Sequence, residues 1–301
     1  MKQLTVISGK GGTGKTVFSA SFAALASNTV LVDCDVDAAN LFLLLHPQVR
    51  ETYRFTGGKK AQLVEDRCTG CYECLPVCRF DALSENENSQ VNIDPFSCEG
   101  CGVCAHVCPV EALEMIPNLS GEWFVSDTRY GPFVHAKLGI GEENSGKLVA
   151  EIRKKAKEIA KENGSELILI DGPPGIGCPV IASLSGADMA LVVTEPTLAG
   201  IHDMERVIQT AQHFRIKTAC CINKFDLNLD NSDRIIKWCR DQSVPFIGTI
   251  PYDETVTQAV RRGVPVVEYM DCPSADRFKI IWDETEKLLN TSTRNDKEAT
   301  T

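Results

Sequence analysis

The stretch GKGGTGKT, residues 9–16, decides the fold of this chain. It fits the pattern G-x-x-x-x-G-K-S/T, and it stands between an apolar segment, QLTVIS at 3–8, and the predicted helix TVFSASFAALAS. Glycines in such a loop let backbone N–H groups turn toward phosphate, and the start of the following helix adds positive potential. Because the motif and its setting agree, the stretch predicts a phosphate-binding loop rather than a structural glycine-rich turn.

Two side chains of this loop have predicted roles of their own. Lys15 should reach the β- and γ-phosphates of a nucleotide, and Thr16 should ligate Mg²⁺. The backbone of the whole loop is expected to contact the nucleotide. The predicted binding residues are therefore Gly9, Lys10, Gly11, Gly12, Thr13, Gly14, Lys15, Thr16 and Val17.

Apolar segments on both sides of a central interruption follow the order of an α/β fold. The predicted core strands after the first are TVLVDCD (29–35), SELILIDG (165–172), MALVVTEP (189–196), KTACCIN (217–223) and PFIGTIPY (245–252). The predicted helices between or after them lie near 145–163, 200–214, 230–242 and 274–290. Strands that alternate with helices predict a mostly parallel sheet with helices on both faces.

The pattern breaks between about 50 and 120, where only turns, cysteine clusters and short alternating pieces such as QVNID occur. It resumes with EWFVSDT and GPFVHAKL, which predict a strand pair. The sequence thus predicts a discontinuous ATPase-type domain, 1–55 and 120–290, interrupted by a separate domain at 56–119. The polar tail, 291–301, is predicted to be disordered.

The interrupting segment contains one cysteine pattern twice. The spacing C-x2-C-x2-C-x3-C occurs at Cys68, Cys71, Cys74 and Cys78, and again at Cys98, Cys101, Cys104 and Cys108. This spacing resembles that of the bacterial two-cluster ferredoxins, which implies two [4Fe–4S] clusters. In that family the fourth cysteine of each run ligates the other cluster. The resemblance therefore implies one cluster on Cys68, Cys71, Cys74 and Cys108, and a second on Cys98, Cys101, Cys104 and Cys78.

Zinc is the alternative metal for these cysteines. Structural zinc sites usually use two C-x2-C pairs separated by a longer span, and two uninterrupted runs of three cysteines do not follow that pattern. Pro109 follows the last cysteine, as the ferredoxin motif expects. Arg79 stands where the first run would have proline, which is a departure from the motif.

A second lysine, Lys10, directly follows the first glycine of the phosphate loop. In this feature the chain closely resembles the deviant Walker A ATPases, the MinD/ParA/Mrp group that includes the nitrogenase iron protein. The resemblance implies a homodimer that encloses ATP, in which Lys10 crosses the interface to the partner's nucleotide. A heterodimer with a paralogue, and a plain surface lysine near the phosphates, are the alternatives.

The same resemblance implies roles for acidic residues near the loop. Asp35 corresponds to the residue that orients the attacking water, and Asp33 lies near the Mg²⁺ shell. Asp171, at the predicted end of a strand, corresponds to the acidic residue that holds Mg²⁺ through water. Gly175, in the segment GPPG, would sense the γ-phosphate. Asp37 follows in the same acidic segment and is alternatively a helix cap.

The purine contacts implied by the resemblance come from two late segments. Asn223, in CINKFD, corresponds to the family's purine-contacting asparagine, and Pro251 and Asp253 correspond to its adenine loop. The letters NKFD also resemble the NKxD motif of GTPases, so GTP stays an alternative to ATP. Lys15, Asp35, Lys10 and Asp171 together form the predicted catalytic set.

Cys178, in DGPPGIGCPV, lies seven residues beyond Asp171. Since Pro179 suits the first turn of a helix, Cys178 is predicted at the N-cap, where the helix dipole would favour a thiolate. In the nitrogenase iron protein a cysteine at the same distance helps to ligate a cluster that bridges two subunits. One hypothesis is therefore that paired Cys178 thiols bind iron or a cluster transiently, and the alternative is a small buried residue.

Composition limits the classes of function. The net charge of −10, from 31 basic and 41 acidic residues, argues against nucleic acid as a partner. No apolar run is long enough to span a bilayer, and we expect no membrane partner. Because the N-terminus continues directly into a strand and the phosphate loop, we expect a cytoplasmic protein. In such a protein, clustered cysteines indicate metal binding rather than disulfides.

Three functions are compatible with these features. The first is a nucleotide-gated redox protein that passes electrons through its clusters to a redox partner. The second is an assembly or carrier factor that delivers a cluster or metallocofactor to an apo-protein. The third is a spatial organiser like MinD or ParA, which the acidic chain and its lack of a basic amphipathic C-terminal helix disfavour.

Overall fold

The computed structural model of the protein describes residues 1–139, 142 and 145–291. Its strands are β1 Lys2–Ser8, β2 Thr29–Asp33, β3 Gln48–Leu63, β4 Leu83–Glu85, β5 Val91–Ile93, β6 Leu113–Thr128, β7 Gly131–Leu138, β8 Leu167–Pro174, β9 Met189–Thr194, β10 Lys217–Asn223 and β11 Phe246–Ile250. Its α-helices are α1 Lys15–Leu25, α2 Phe42–Leu45, α3 Val103–Val107, α4 Ser145–Asn163, α5 Cys178–Leu184, α6 Leu198–His213, α7 Leu229–Asp241, α8 Glu254–Arg262, α9 Val266–Tyr269 and α10 Pro273–Asn290.

The main sheet has the strand order β11-β10-β9-β1-β8-β2-β7-β6-β3. The first strand, β1, lies between β8 and β9 and is parallel to both, and β2–β8, β2–β7, β9–β10 and β10–β11 are parallel pairs as well. The prediction of an α/β fold with a mostly parallel sheet is confirmed. Since parallel strands place their carboxyl ends at one edge, the loops after β1, β2, β9 and β10 meet there.

Apolar packing between α1 and α10 holds the helix that follows the phosphate loop. The strand β1 is buried from Gln3 to Ser8, so both of its faces are covered, as in a parallel sheet. The ring of Phe18 lies edge-on to Phe278 at a centroid distance of 4.7 Å, and Phe22 lies 5.0 Å from Trp282. These rings anchor the helix that begins directly after the loop.

The chain divides into two compact units. Unit 1 comprises Met1–Thr52, Trp123–Lys137 and Ser145–Thr301, and unit 2 comprises Tyr53–Glu122 and Leu138–Asn144. The predicted assignment of 56–119 to a ferredoxin-like domain stays a prediction. The tail predicted to be disordered lies, from residue 292 onward, outside the described residues.

Unit 2 has little regular structure around its cysteines. The strands β4 and β5 form a three-residue antiparallel pair, and α3 has five residues. Its small core contains the buried residues Cys74, Val91 and Leu113.

The long strand β3 differs from the sequence prediction, which found only short pieces after residue 50. Its sixteen residues are mostly exposed or half-buried and include the pair Gly57-Gly58. Such a strand lacks the apolar signal of a core strand, and adjacent glycines normally indicate a turn. The second long strand, β6, ends in the predicted EWFVSDT segment and is joined to its neighbour β7 by a two-residue turn, as the predicted strand pair requires.

Candidate functional site

Two glycines give the phosphate loop its shape. Gly12 and Gly14 have positive φ angles of 81° and 92°, and Gly14 is the N-cap of α1. A Cβ on Gly14 would stand 2.5 Å from the Nδ2 atom of Asn223, whereas a Cβ on Gly11 would meet no described atom within 4 Å. Position 14 therefore needs glycine for both backbone and space, while the backbone at position 11 faces open room.

Lys15 lies at the centre of a group of carboxylates. Its Nζ atom is 3.2 Å from Oδ2 of Asp35, and both side chains are largely buried. Burial lowers the pKa of Lys15, but the charges of Asp171 and Asp35 outweigh this effect and raise the pKa overall. The lysine is therefore held as a cation inside the protein.

Asp171 accepts hydrogen bonds from two hydroxyl groups of α1. The Oγ1 atom of Thr16 donates to its Oδ2, and the Oγ atom of Ser19 donates to its Oδ1, both at 2.8 Å. The prediction that Asp171 ends its strand is wrong, because β8 continues to Pro174. The register instead pairs Asp171 with Asp33 of β2, which brings the two carboxyl groups to neighbouring strands.

Asp33 is fully buried and holds the segment that follows β2. Its carboxyl oxygens accept the backbone N–H groups of Asp35 at 3.0 Å and Leu41 at 3.2 Å. Burial, followed by the charge of Asp171, raises the pKa of Asp33 to about 8. Asp37, by contrast, is exposed and caps no helix, because α2 begins at Phe42 after Leu41.

Gly175 lies just beyond β8 and bonds to the end of β1. Its φ angle is 91°, and its N–H group donates to the carbonyl oxygen of Ser8 at 3.0 Å. This contact brings the GPPG segment next to the start of the phosphate loop. Its predicted role as a γ-phosphate sensor stays a prediction.

The candidate purine residues surround the carboxyl ends of β10 and β11. Asn223 donates from Nδ2 to the carbonyl oxygen of Thr13 at 2.9 Å and accepts from the N–H of Lys224 at 3.0 Å. Asp226 accepts the N–H of Tyr252 at 2.7 Å, so that the NKFD segment contacts the residue after Pro251. Asp253 caps α8 by accepting the N–H of Thr255 at 2.8 Å.

Lys10 is paired within its own chain. Its Nζ atom lies 3.4 Å from Oε2 of Glu195 and 3.3 Å from the hydroxyl oxygen of Thr197. The other carboxylate oxygen of Glu195 lies 2.6 Å from Nζ of Lys224. One buried carboxylate thus holds two lysines at the edge of the phosphate loop.

In unit 2, four of the predicted cysteine ligands surround one pocket. The residues that line this pocket include Cys78, Cys98, Cys101 and Cys104. These four cysteines are the set that the ferredoxin resemblance assigns to the second cluster. A [4Fe–4S] cluster takes four cysteine thiolates as ligands, and four cysteines line this pocket.

The loop before Cys101 is held against β3. A Cβ on Gly100, which has a φ angle of 65°, would stand 1.9 Å from the carbonyl oxygen of Lys59. The Nζ atom of Lys60 donates to the carbonyl oxygen of Pro95 at 2.6 Å. The strand therefore contacts this cysteine loop on both sides of Cys98.

Three of the other four predicted ligands lie in or against the small core of unit 2. Cys74 is buried there with Val91 and Leu113, and Cys68 and Cys108 pack against them while half-buried. Cys71 is exposed. In the part of the chain that the structure describes, no three His, Cys, Asp or Glu side chains are grouped so that they could hold a metal ion.

Cys178 is the first residue of α5 rather than its N-cap, which is Gly177. The two preceding glycines leave the chain free to begin the helix one residue earlier than predicted, with proline still inside the first turn. The thiol is exposed, so the alternative of a small buried residue is wrong. The scattered cysteines Cys34, Cys220, Cys221 and Cys239 are buried, and the last three belong to the apolar core.

Sequence reasoning missed four residues at the phosphate-loop site: Ser19, Glu195, Thr197 and Lys224. Ser19 lies one helical turn after Thr16, and this spacing could have identified it as a second hydroxyl on the same face. Glu195 directly follows β9, at the sheet edge where the other polar side chains lie. Its position was therefore a usable signal, whereas its pairing with two lysines required the structure.

Comparison with known families and proteins gives a consistent result. The family described as the CobQ/CobB/MinD/ParA nucleotide binding domain matches residues 4–266. The uncharacterized protein MJ0578 of Methanocaldococcus jannaschii is 37% identical over 260 residues, which cover 83% of this chain and 86% of that protein. The septum site-determining protein MinD of Neisseria meningitidis is 25% identical over 92% of this chain and 88% of its own length.

Two further comparisons concern a solved structure and a relative that matches part of the chain. The structure of MinD from Pyrococcus horikoshii complexed with Mg-ADP aligns with a TM-score of 0.56 at 19% identity, covering 96% of this chain and 97% of that one. This likeness supports the P-loop fold alone. An iron-sulfur cluster carrier protein of Pyrococcus horikoshii is 26% identical over 48% of this chain and 52% of its own length.

Proposed function

The chain belongs to the CobQ/CobB/MinD/ParA family of nucleotide-binding domains, and from that premise we propose that it is an ATP-hydrolysing iron–sulfur protein. In this proposal the nucleotide state controls electron transfer through two [4Fe–4S] clusters to a redox partner. The observation that carries the proposal is the pocket of unit 2 lined by Cys78, Cys98, Cys101 and Cys104, in a chain whose other unit contains a phosphate loop.

Residues of unit 1 would bind ATP and orient water. The γ-phosphate would attract Lys15, whose present partner is Asp35 at 3.2 Å. Once Lys15 turns to the phosphate, the Asp35 carboxylate becomes available to accept a hydrogen bond from the attacking water. This exchange places the lysine on the developing negative charge and the aspartate on the nucleophile, as in-line phosphoryl transfer requires.

The residues for Mg²⁺ have suitable donor chemistry. Thr16, Asp171 and Asp33 present hydroxyl and carboxylate oxygens at adjacent positions, and hard cations prefer oxygen ligands. When bound, Mg²⁺ would supply positive charge that offsets the negative charge of the phosphates. The bonds from Thr16 and Ser19 hold the Asp171 carboxylate in one orientation.

The hydrogen bonds of Asn223 favour adenine over guanine. A side-chain amide has two N–H groups and two carbonyl lone pairs, and Asn223 uses one of each on Thr13 and Lys224. One donor and one acceptor remain, and these match N7 and the N6 amino group of adenine. Guanine presents two acceptors at the same edge. GTP would instead need Asp226, one of whose oxygens is already bonded to Tyr252.

Two copies of the chain would enclose the nucleotide, with Lys10 reaching the partner's phosphates. A paralogue in place of the second copy is the alternative.

In unit 2, Cys68, Cys71, Cys74 and Cys108 would hold one cluster and Cys98, Cys101, Cys104 and Cys78 the other. When bound, the clusters would supply one-electron transfer. Eight ligands that saturate two clusters support stable redox centres rather than a labile scaffold.

A cluster carrier or metallocofactor assembly factor is the second candidate. Two observations favour it: the partial similarity to an iron-sulfur cluster carrier protein, and the exposed thiol of Cys178. Under this alternative, Cys178→Ser should lower iron per dimer and slow cluster delivery to an apo-ferredoxin. Unchanged iron content and unchanged delivery would leave Cys178 without a role in metal binding.

A MinD-like spatial organiser is the third candidate, because several relatives have the name MinD. This function needs neither iron nor intact cysteine runs. Iron analysis of the anaerobically purified protein separates it from the other two. About eight irons per chain would support the cluster proposals, as two four-iron clusters require, and absence of iron would exclude both.

The decisive experiment is an anaerobic redox titration followed by EPR, without nucleotide, with ADP and with a non-hydrolysable ATP analogue. We expect a nucleotide-dependent shift of about 30 mV or more at unchanged iron content, since about 59 mV is tenfold for one electron. Lys15→Met is the matched control, because it should bind clusters but lose the shift. Potentials that are identical in all three states would contradict nucleotide control of electron transfer and favour the carrier.

A further inference from the structure

Glu195 occupies a position where it can restrain Lys10. It directly follows β9, its side chain is only 12% exposed, and it contacts Lys10 and Lys224 through different oxygens. Thr197, the N-cap of α6, adds a hydroxyl contact to the same Lys10 ammonium at 3.3 Å. Lys10 therefore has two polar partners inside its own chain.

The backbone around Lys10 is held by close contacts, so we expect the side chain rather than the backbone to move. The hydroxyl of Ser8 donates to the carbonyl oxygen of Lys10 at 2.8 Å. At Gly9, an added Cβ would stand 2.5 Å from the backbone carbonyl carbon of Asp203, which shows how closely the loop packs on α6. Any change of partner by Lys10 must therefore occur by rotation of its side chain away from Glu195.

Release of Lys10 would leave Glu195 paired. Removing one member of a buried ion pair is costly when it leaves an uncompensated charge. Here Lys224 stays 2.6 Å from the carboxylate, a shorter contact than the 3.4 Å to Lys10. The second lysine thus lowers the cost of freeing the first, and Lys10, whose contact with the carboxylate is the longer one, is the lysine that can leave.

From this arrangement we propose that Glu195 is a positioning residue that retains Lys10 within its own chain and opposes nucleotide-dependent pairing with a second copy. The inference rests on the proposed function, in which Lys10 reaches the partner's ATP. The carboxylate of Glu195 and the partner-bound triphosphate would compete for one ammonium group. The balance between them would set the ATP concentration at which two copies associate.

The test is a double-mutant cycle on self-association. Light scattering coupled to size exclusion measures the dimer fraction against ATP concentration, with Asp35→Ala in every variant to prevent turnover. Glu195→Gln should lower the ATP concentration at half-maximal association by about threefold or more, as coupled buried charges predict. In a Lys10→Ala background the same substitution should have no further effect.

Two controls separate this role from a general change of charge. Glu284→Gln removes an exposed carboxylate of α10, and it should leave association unchanged. Lys224→Met reduces the positive charge near Glu195 but leaves Lys10 paired. The rival explanation is that Glu195→Gln acts only by making the site more positive. In that case Glu195→Gln should strengthen binding of a fluorescent ATP analogue, and Lys224→Met should weaken it to the same extent.

The outcomes distinguish this inference from the proposed function. If the unaltered chain binds the fluorescent ATP analogue and associates, but Glu195→Gln behaves like it, only the role of Glu195 is wrong. An equal effect of Glu195→Gln with and without Lys10 would also overturn it. If the unaltered chain neither binds the analogue nor associates, the proposed function itself is wrong. A melting curve for each variant verifies that it is folded.

Discussion

The phosphate-loop region of unit 1 and the cysteine region of unit 2 keep their shapes by different means. Around the phosphate loop, side chains are bonded to one another or to the loop. Asp171 accepts hydrogen bonds from two hydroxyl groups, Asn223 donates one to the carbonyl oxygen of Thr13, and Glu195 forms ion pairs with two lysines. Around the cysteines there are a three-residue strand pair, a five-residue helix and a core of three buried residues.

This difference suggests different roles for the two ligands: a nucleotide would fill a site that is already folded, whereas a cluster would be needed for the fold of unit 2. A nucleotide would enter a region that is already bonded together, so its binding changes a few side-chain partners. A small unit with so little buried apolar surface usually requires a metal or disulfides to be stable. For unit 2, cluster binding would then be a part of the folding free energy.

The largest effect that would test this comparison is expected on removal of iron. Chelation under reducing conditions should open unit 2 and leave unit 1 folded, because in this proposal only the fold of unit 2 depends on iron. Limited proteolysis with mapped cleavage sites should then cut within 65–112 and spare 146–290. Tryptophan fluorescence should change little, since Trp123, Trp238 and Trp282 all belong to unit 1.

A protected cysteine region after iron removal would break the comparison. Binding of a fluorescent ATP analogue, measured after the chelator is removed and Mg²⁺ is restored, serves as the control for unit 1, and it should be retained. If the analogue is lost together with the iron, the two regions do not differ in the way described.

The second effect concerns turnover alone. Asp35→Ala should retain ATP and lose hydrolysis by about 10²-fold or more, because a group that orients or accepts from the attacking water is removed. Binding should be no weaker, since the substitution also frees Lys15 from its 3.2 Å ion pair. ATP binding and phosphate release, measured on the same sample, check both statements.

Asp37→Ala is the matched control for that variant. Asp37 is exposed, and it follows Asp35 by two residues. The two variants remove the same charge from the same segment, and turnover should fall only in the first. Equal turnover in both variants would reject the assignment of Asp35, and iron content should be unaffected in either.

The third effect is a loss of stability of unit 1 in mild acid. Burial lowers the pKa of His135 to about 4 from 6.5, so its stabilising contribution is present above 6.5 and is lost as pH falls toward 4. The full loss corresponds to about 3 kcal/mol. Urea unfolding followed by tryptophan fluorescence at pH 7 and near pH 4.5 measures the difference.

His135→Phe should remove this pH dependence while keeping the ring stack on Phe133, whose centroid is 4.5 Å away. His213→Gln, at an exposed position of α6, is the control and should keep the acid sensitivity of the unaltered chain. Acid sensitivity that persists in His135→Phe would assign it to another group.

The smallest effect concerns two glycines of the phosphate loop. Gly14→Ala should lower the free energy of unfolding by about 1–3 kcal/mol, because it combines a left-handed backbone with a close contact. Gly11→Ala has open space and should cost less than about 1 kcal/mol. Urea unfolding without nucleotide compares them, and equal losses would contradict the view that the loop is shaped by its contact with Asn223.

The sequence predicted the parts of the molecule that local patterns encode. The Gly9–Thr16 motif predicted the strand, loop and helix order, and the apolar segments predicted the parallel sheet, since buried parallel strands are continuous apolar runs. The helices α4, α6, α7 and α10 lie within two residues of their predicted bounds. The exposed strand β3 was missed because its residues have neither that run nor a clear alternation.

The long-range pairings could not be predicted in the same way. Nothing local connects Glu195 to Lys10, which are far apart in sequence and meet only because β9 lies beside β1. The position of Asp171 within β8 depends on how far the strand pairs with β1, which the apolar run alone did not define. The grouping of Cys78 with the second cysteine run came from a family resemblance rather than from spacing.

Asn223 has a consequence for how this chain could acquire a different nucleotide preference. Its amide supports the phosphate loop through Thr13, fills the space against Gly14 and, in the proposed function, contacts the base. A substitution there would change base recognition and loop geometry together. Substitutions that change base preference, whether engineered or evolved, should therefore disturb the loop less at Tyr252 or Asp226, whose contacts lie outside it.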